Sequence, residues 1–195
     1  MNKNSLAVGL GMVLVMGVAL GSAEAKHFNL DFHSEVSGSY VSEGTRIDTD
    51  KDGRTADLDL TSGKSSHLGE ITTQDVAEWS SEFSYERCPN GEMGYKGSLV
   101  SGFFVIRSEN GDLLFGTFTA GTNCFDFHTN SASISLSGVF TGGTGRFAGA
   151  SGGSLTVSGT AVPLITDSGG HQFGSVVARI QGILPHSHHG MDDDE

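Results

Sequence analysis

The chain has 195 residues, enough for one domain with its own hydrophobic core. It carries 23 acidic and 11 basic side chains, and the formal net charge of −12 argues against nucleic acids and anionic membrane surfaces as partners. Glycine is abundant at 29 residues and proline scarce at 3, which with many serines and threonines indicates short strands and tight turns.

The first 25 residues are predicted to be a secretory signal peptide. Lys3 adds positive charge, Leu6 to Leu20 form an apolar run too short to span a bilayer comfortably, and Ala23-Glu24-Ala25 is a typical cleavage site. No later segment is apolar enough for a membrane helix. The sequence therefore predicts a secreted or periplasmic protein that begins near Lys26 and does not insert into a membrane.

Alternation of apolar and polar residues with a period of two dominates the rest of the chain and indicates strands with one apolar face. Turn signals at 52–53, 90–91, 110–111 and 169–170 separate several of these strands, and no window indicates an amphipathic helix. The predicted strands cover 28–33, 35–47, 55–60, 76–84, 98–107, 113–120, 131–140, 155–161 and 176–180.

About eight strands with short connections predict an all-β domain over residues 26–183. A closed eight-stranded antiparallel β-barrel is the favoured architecture, and a β-sandwich is the alternative. The alternation stops near Leu184, so residues 184–195 are predicted to be a disordered tail rich in histidine and acidic residues.

Histidines suggest two weaker metal sites. His27, Asn29, Asp31 and His33 would share one face of the first strand, either as a Zn²⁺ or Cu²⁺ site or as the wet side of an edge strand. In the tail, His186, His188 and His189 could capture a borderline metal loosely.

The stretch "DTDKDGRTADLD", residues 48–59, resembles a calcium-binding loop. Such a loop needs oxygen ligands at positions 1, 3 and 5, glycine at 6, a carbonyl at 7 and an acid at 12. Those places are held by Asp48, Asp50, Asp52, Gly53, the carbonyl of Arg54 and Asp59. The alternative is a solvated acidic turn, with Asp57 and Asp59 on the outer face of a strand that also carries Leu58 and Leu60.

Cys88 and Cys124 are the two cysteines of the chain. In an exported protein they are predicted to form a disulfide. A redox-active thiol pair is the alternative, but the chain contains no C-x-x-C motif.

Phe103, Phe104, Phe115, Phe118, Phe125 and Phe127 crowd the middle of the chain. They are expected either to fill the core of a small barrel or to line a ligand cavity.

The glycine-rich stretch "FTGGTGRFAGASGG", residues 140–153, matches a dinucleotide-binding pattern at Gly143, Gly145 and Ala148. Because another alternating strand follows it instead of a helix, a structural turn is favoured. Gly142, Gly143 and Gly145 are predicted to supply positive φ angles, Arg146 and Phe147 to form the tip with Phe147 folded back over the barrel end, and Gly149 to let the chain leave.

This turn and its flanking strands, "GVFTGGTGRFAGASGGSLTVSGTAV", resemble the allene oxide cyclase barrel-like proteins, including the dirigent-like group. The resemblance implies a closed eight-stranded barrel in a secreted bacterial member. It transfers no catalytic residue, since the shared turn looks architectural in that family.

Three functions remain open from the sequence. The first is binding of a small apolar ligand or an accessory role outside the cytoplasm. The second is a cofactor-free isomerase or cyclase acting on a flexible apolar substrate inside the barrel. The third is an interaction protein stabilised by a cation such as calcium and lacking a cavity. The sequence names neither the ligand nor the oligomeric state.

Overall fold

The computed structural model describes residues 27–187, which form nine strands and one turn of 3-10 helix at Gly145–Phe147. The strands are β1 (His27–Val41), β2 (Asp57–Ser65), β3 (Gly69–Trp79), β4 (Ser84–Arg87), β5 (Met93–Arg107), β6 (Leu113–Asp126), β7 (Ser131–Gly143), β8 (Ser154–Thr166) and β9 (Gln172–Ser187). Within this part of the chain, no helix is long and apolar enough to cross a membrane.

The predicted closed eight-stranded antiparallel barrel is confirmed. Hydrogen-bonded neighbours follow the order β3-β2-β1-β9-β8-β7-β6-β5, and β3 pairs with β5 from Thr72↔Arg107 to Trp79↔Leu99 to close the sheet. The short strand β4 pairs with the first residues of β5, beyond the end of β3. Closure leaves none of the eight barrel strands with an unpaired edge, so the sandwich alternative is wrong.

The two ends of the barrel differ in their connections. Tight connections at 66–68, 108–112 and 144–153 lie at one end, which we call the closed end. Longer segments at 42–56 and 80–92, together with turns at 127–130 and 167–171, lie at the other, which we call the open end. The predicted glycine turns are confirmed, with φ of 90° at Gly53, 92° at Gly91, 89° at Gly111 and 92° at Gly170.

Several strand boundaries differ from the sequence prediction. The strands predicted at 28–33 and 35–47 are one strand, β1, which ends at Val41, and the strand predicted at 76–84 is β3, which ends at Trp79. The β2–β3 hairpin was not predicted, because residues 61–66 are mostly Ser, Thr, Gly and Lys and show no apolar alternation. Strand β9 runs to Ser187, so residues 184–187, predicted as part of the tail, pair with β1, and Leu184 is buried. The predicted signal peptide and the rest of the tail, with His188 and His189, lie outside the described residues.

Aromatic rings fill the middle of the barrel. The Phe104 ring lies 5.1 Å from that of Phe118 and 5.5 Å from that of Phe140, and Phe32 lies 6.2 Å from Phe140. Several glycines make room for these rings, because a Cβ on Gly116 would lie only 2.4 Å from the Phe104 ring. This layer separates the closed end from the open end.

The glycine-rich turn caps the closed end. Phe147 is only 4% exposed and packs into the same core, while the Arg146 guanidinium lies 4.7 Å from its ring centre. The glycine prediction needs one correction. Positive φ occurs at Gly145 and Gly149, whereas Gly142 and Gly143 end β7 and are required for close packing against Phe115 and Phe147.

Replacing Phe147 with alanine is expected to destabilise the barrel by about 3–5 kcal/mol, because it removes a buried ring and leaves a cavity at the closed end. Urea unfolding of Phe147→Ala measures the change, with the more exposed neighbour in Arg146→Ala as the control. A loss below about 1 kcal/mol for Phe147→Ala would contradict the capping role.

Candidate functional site

A cavity of about 460 Å³ opens at the open end of the barrel. Its small and aliphatic lining residues are Ala77 on β3, Ala132, Ile134 and Leu136 on β7 and Ala161 on β8. Aromatic side chains line the rest and the rim, namely Tyr40, Trp79, Phe83, Tyr95, Phe125 and Phe127. The polar lining consists of Ser42, Glu43, Arg54, Asp57, Asp59, Asn123 and Gln172. Its size and mixed lining are those of a small-molecule site.

Two aspartates line this cavity, and a third lies next to them. Asp57 and Asp59 lie on β2 and line it, and Asp59 stands directly opposite Asp75 on β3. Asp59 and Asp75 also line a separate small cavity of about 20 Å³, which shares Asp59, Ile134 and Leu136 with the main cavity. Because alternate residues of a strand face opposite sides, Leu60 points outward and is 43% exposed. The expectation that Asp57 and Asp59 line an outer face is therefore wrong.

Burial disfavours the ionised form of these carboxyl groups. Removal from water raises the pKa of Asp57 to about 6, partly offset by hydrogen bonds from the Glu43 backbone N–H at 2.9 Å and from Trp79. Burial also raises the pKa of both Asp59 and Asp75, which share a hydrogen bond, and the Asp75 and Asp57 charges raise the pKa of Asp59 further. The titrations of Asp59 and Asp75 are therefore linked, and two such carboxyl groups can act as acid and base.

Tyr40 lines the cavity together with Asp57 and Asp59. Burial, followed by the charges of Asp57 and Asp59, raises the pKa of Tyr40 to about 12. Its hydroxyl donates to Oε1 of Gln172 at 3.4 Å. Tyr40 is therefore a neutral hydrogen-bonding group at physiological pH.

A β-bulge in β6 brings two more side chains into the cavity. Thr119 is an extra residue between the pairs Phe118↔Gly138 and Ala120↔Ser137. Before the bulge the even-numbered residues face inward, and after it Asn123 and Phe125 line the cavity. The phenylalanines of the predicted aromatic set therefore take different places. Phe104 and Phe118 fill the core, Phe125 and Phe127 line the cavity, and Phe103 is 45% exposed.

Buried acids hold the loops of the open end in place. Glu78 is 1% exposed and accepts hydrogen bonds from the backbone N–H of Thr49 at 2.5 Å and from the Ser101 hydroxyl at 2.7 Å. Asp126, also 1% exposed, accepts from the Asn90 amide at 3.0 Å and from the Thr129 hydroxyl at 2.8 Å. These hydrogen bonds tie the rim segments to the barrel wall.

The predicted disulfide is present at this end. Cys88 and Cys124 are bonded with their Cα atoms 5.6 Å apart, within the usual range for such bridges. The bond links the turn after β4 to strand β6, whose neighbouring residues Asn123 and Phe125 line the cavity. It therefore restrains the wall that carries them.

The predicted calcium loop is only partly assembled. Asp48 and Asp50 lie together with Glu78, with potential ligand oxygens all within 4.8 Å of one another. Oδ1 of Asp48 is buried without a hydrogen-bond partner. Asp52 instead accepts from the backbone N–H of Arg54 and of Ser81, and Asp59 belongs to the cavity. Calcium binding stays a prediction, with Glu78 in place of the acid expected at Asp59.

The histidine sites are not brought together with other ligands within the described residues. Asn29, Asp31 and His33 are exposed on the outer face of β1, which pairs with β2 and β9 and is therefore not an edge strand. The side chains of His27 and His186 lie outside the described part of the chain. Metal binding by the tail stays a prediction.

Comparison with known proteins adds little. No protein-family model and no curated protein matches the chain. Among solved structures, the chain is similar to a pterocarpan synthase dirigent protein at 12% identity, with 84% of this chain and 93% of that chain covered and a TM-score of 0.27. A likeness this low carries no argument about activity, so the function is argued from the residues of the cavity.

Stability should respond to pH through Asp57. Because its folded-state pKa is raised from 3.8 to about 6, its contribution to stability is fully present below about pH 4 and is lost as pH rises past 6. Asp57→Asn removes this loss, so its stability relative to the native protein should increase by about 1–3 kcal/mol between pH 4 and pH 8. Urea unfolding at both pH values measures this, with the exposed Asp31→Asn as control. An unchanged difference for Asp57→Asn would contradict the burial argument.

Calcium should raise the melting temperature if Asp48, Asp50 and Glu78 bind it. Stabilisation by a ligand that binds only the folded state is about 1.4 kcal/mol at ten times its Kd. Thermal melts in millimolar CaCl₂ and in EDTA measure the effect. Asp48→Asn combined with Asp50→Asn should abolish it, whereas Asp52→Asn should leave it intact. Equal melting temperatures of the native protein in both buffers would make the acidic segment an ordinary loop.

Proposed function

We propose that this protein binds a small, largely apolar molecule in the cavity at the open end of its barrel. The observation that carries the proposal is the division of the interior. Aromatic rings fill the middle and the closed end, whereas about 460 Å³ remains accessible above them. A protein that used its barrel only as a scaffold would be expected to fill this space with side chains.

The lining supports a ligand with an apolar body and a hydrogen-bonding group. Ile134 and Leu136 offer apolar contact on one wall, and Trp79 offers an aromatic face on another. Asp57 and Asp59 lie among these apolar groups and can fix the orientation of a polar group. This combination of apolar walls and a few convergent polar groups is typical of small-molecule sites.

The second candidate is a cofactor-free isomerase or cyclase, and the Asp59–Asp75 pair favours it. A carboxyl that keeps its proton near neutral pH can donate it to a bound substrate, while its partner accepts one. The apolar walls would hold a flexible substrate in a reactive conformation. Deuterium from D₂O in a recovered product would distinguish this activity from binding alone.

The third function predicted from the sequence, an interaction protein without a cavity, receives no support from an interior of this form. Calcium at the 48–50 segment is compatible with either remaining candidate, because Glu78 faces away from the cavity.

We also propose that the protein acts outside the cytoplasm, secreted or periplasmic. The disulfide supports this location, since such bonds persist in oxidising compartments. The predicted signal peptide is consistent with the same route.

An uncharged apolar fluorophore tests the binding proposal. N-phenyl-1-naphthylamine brightens in apolar surroundings, and we expect a saturable increase in emission with one site per chain. Ala132→Phe places a ring inside the cavity and should weaken binding at least tenfold. Thr160→Phe adds the same ring on the exposed outer face of the adjacent strand β8 and should bind as the native protein does.

Melting curves of both variants verify that they fold. Absence of saturable emission, or equal affinity of Ala132→Phe and the native protein, would contradict a ligand site in the barrel.

A further inference from the structure

We infer that the ligand of this cavity is an organic cation, a protonated or quaternary amine attached to an apolar or aromatic body. The inference rests on the proposed function and names the chemical class of its ligand. It follows from the arrangement of acids and aromatic rings in the cavity and from the lack of a basic side chain acting on Asp59 and Asp75.

The cavity carries more negative than positive groups. Glu43, Asp57 and Asp59 line it, and Asp75 lies opposite Asp59 on the neighbouring strand β3. Arg54 is the only basic side chain among the lining residues that the structure describes. Its Nε lies 3.5 Å from a carboxylate oxygen of Glu43 at the rim, so that its charge is already paired.

The Arg54 charge also acts on Asp57, where it lowers the pKa, but no basic side chain acts on Asp59 or Asp75. Asp57 accepts a backbone N–H, and Asp59 and Asp75 bond to each other. Paired acids inside a protein normally meet an arginine, a lysine or a metal ion, because an isolated buried charge is costly. A positively charged group of a ligand would supply the missing partner.

Aromatic rings around the entrance favour the same ligand class. The Tyr95 ring lies 5.4 Å from that of Phe127, which lies 4.9 Å from that of Phe125, and Trp79 lines the cavity beside them. Faces of aromatic rings attract cations, and cages of such rings recognise alkylated ammonium groups. The rim already shows this interaction, since the Arg54 guanidinium lies 5.0 Å from the centre of the Phe83 ring.

Such a ligand would bind in competition with protons. The titratable groups facing the Asp59–Asp75 pair are Asp57 beside it on β2 and Tyr40 on β1, and the rim adds Glu43, Arg54 and Tyr95. A fixed cation favours the ionised carboxylates, and lowering the pH protonates them. Affinity for the cation should therefore fall as the pH is lowered from 8 to 5, whereas affinity for an uncharged ligand should not.

A pair of probes of equal shape tests the inference. Benzyltrimethylammonium and its uncharged isostere neopentylbenzene are each used to displace N-phenyl-1-naphthylamine from the full chain. At pH 8 the cation should displace the fluorophore at a concentration at least tenfold lower than the isostere, and this preference should shrink at pH 5.

Two variants locate the effect. Asp59→Asn with Asp75→Asn should abolish the preference, which is taken as the ratio of the two displacing concentrations so that a change in the affinity for the fluorophore cancels. A melting curve verifies that this variant folds. Asp31→Asn with Glu70→Gln removes the same charge from exposed positions and should keep the preference.

The outcomes separate the two proposals. Bound fluorophore with no preference for the cation at pH 8, or a preference that survives in Asp59→Asn/Asp75→Asn, overturns the inference and leaves the proposed function standing. Failure of the fluorophore and of both probes to bind overturns both.

Discussion

Pairing of β3 with β5 is the contact on which the rest of the structure depends, because it turns an open sheet into a barrel. In a closed barrel every second residue of a strand must face the interior. Asp57 and Asp59 on β2 and Asp75 on β3 therefore lie inside, however unfavourable burial is for their charges. The same rule places Leu58 and Leu60 on the outer face. The polar interior is thus a consequence of the pairing register of β2. In a closed barrel β2 is paired on both sides and cannot shift its register alone.

The closed end of the barrel contributes to stability, and the open end contains the proposed binding site. At the closed end Phe147, Leu114 and Leu184 are buried, and Gly143 leaves room for the backbone and Cβ of Phe147. At the open end the aromatic rings are spread around a cavity, with the disulfide and the buried acids Glu78 and Asp126 holding its rim. Tight packing at the closed end offsets the free-energy cost of the cavity at the open end, because both belong to the same core.

The acids of this protein respond to pH in two opposite ways. Thr129, His128 and Asn90 donate hydrogen bonds that lower the pKa of Asp126, and bonds from Thr49 and Ser101 outweigh burial in lowering the pKa of Glu78. Both rim contacts weaken as pH falls through those pKa values. The cavity aspartates have raised pKa values, so their cost to stability grows as pH rises. At neutral pH the hydrogen bonds to Glu78 and Asp126 therefore hold the rim in place, whereas the pKa values of Asp57 and Asp75, about 6 and about 7, lie close to the pH.

The sequence by itself determined an all-β chain with glycine turns and favoured a barrel over a sandwich, since alternation in β1, β7, β8 and β9 is a local property of the chain. Closure of the barrel by β3 and β5 is a tertiary contact. The sequence also determined the pairing of Cys88 with Cys124, because the chain has no other cysteine. Only the tertiary structure decided which face of β2 is inside, that Asp59 meets Asp75 from another strand, and that a bulge at Thr119 turns Asn123 and Phe125 inward. Alternation along β2 shows that its two faces differ, one carrying aspartates and the other leucines. Only closure of the sheet decides which of these two faces is buried.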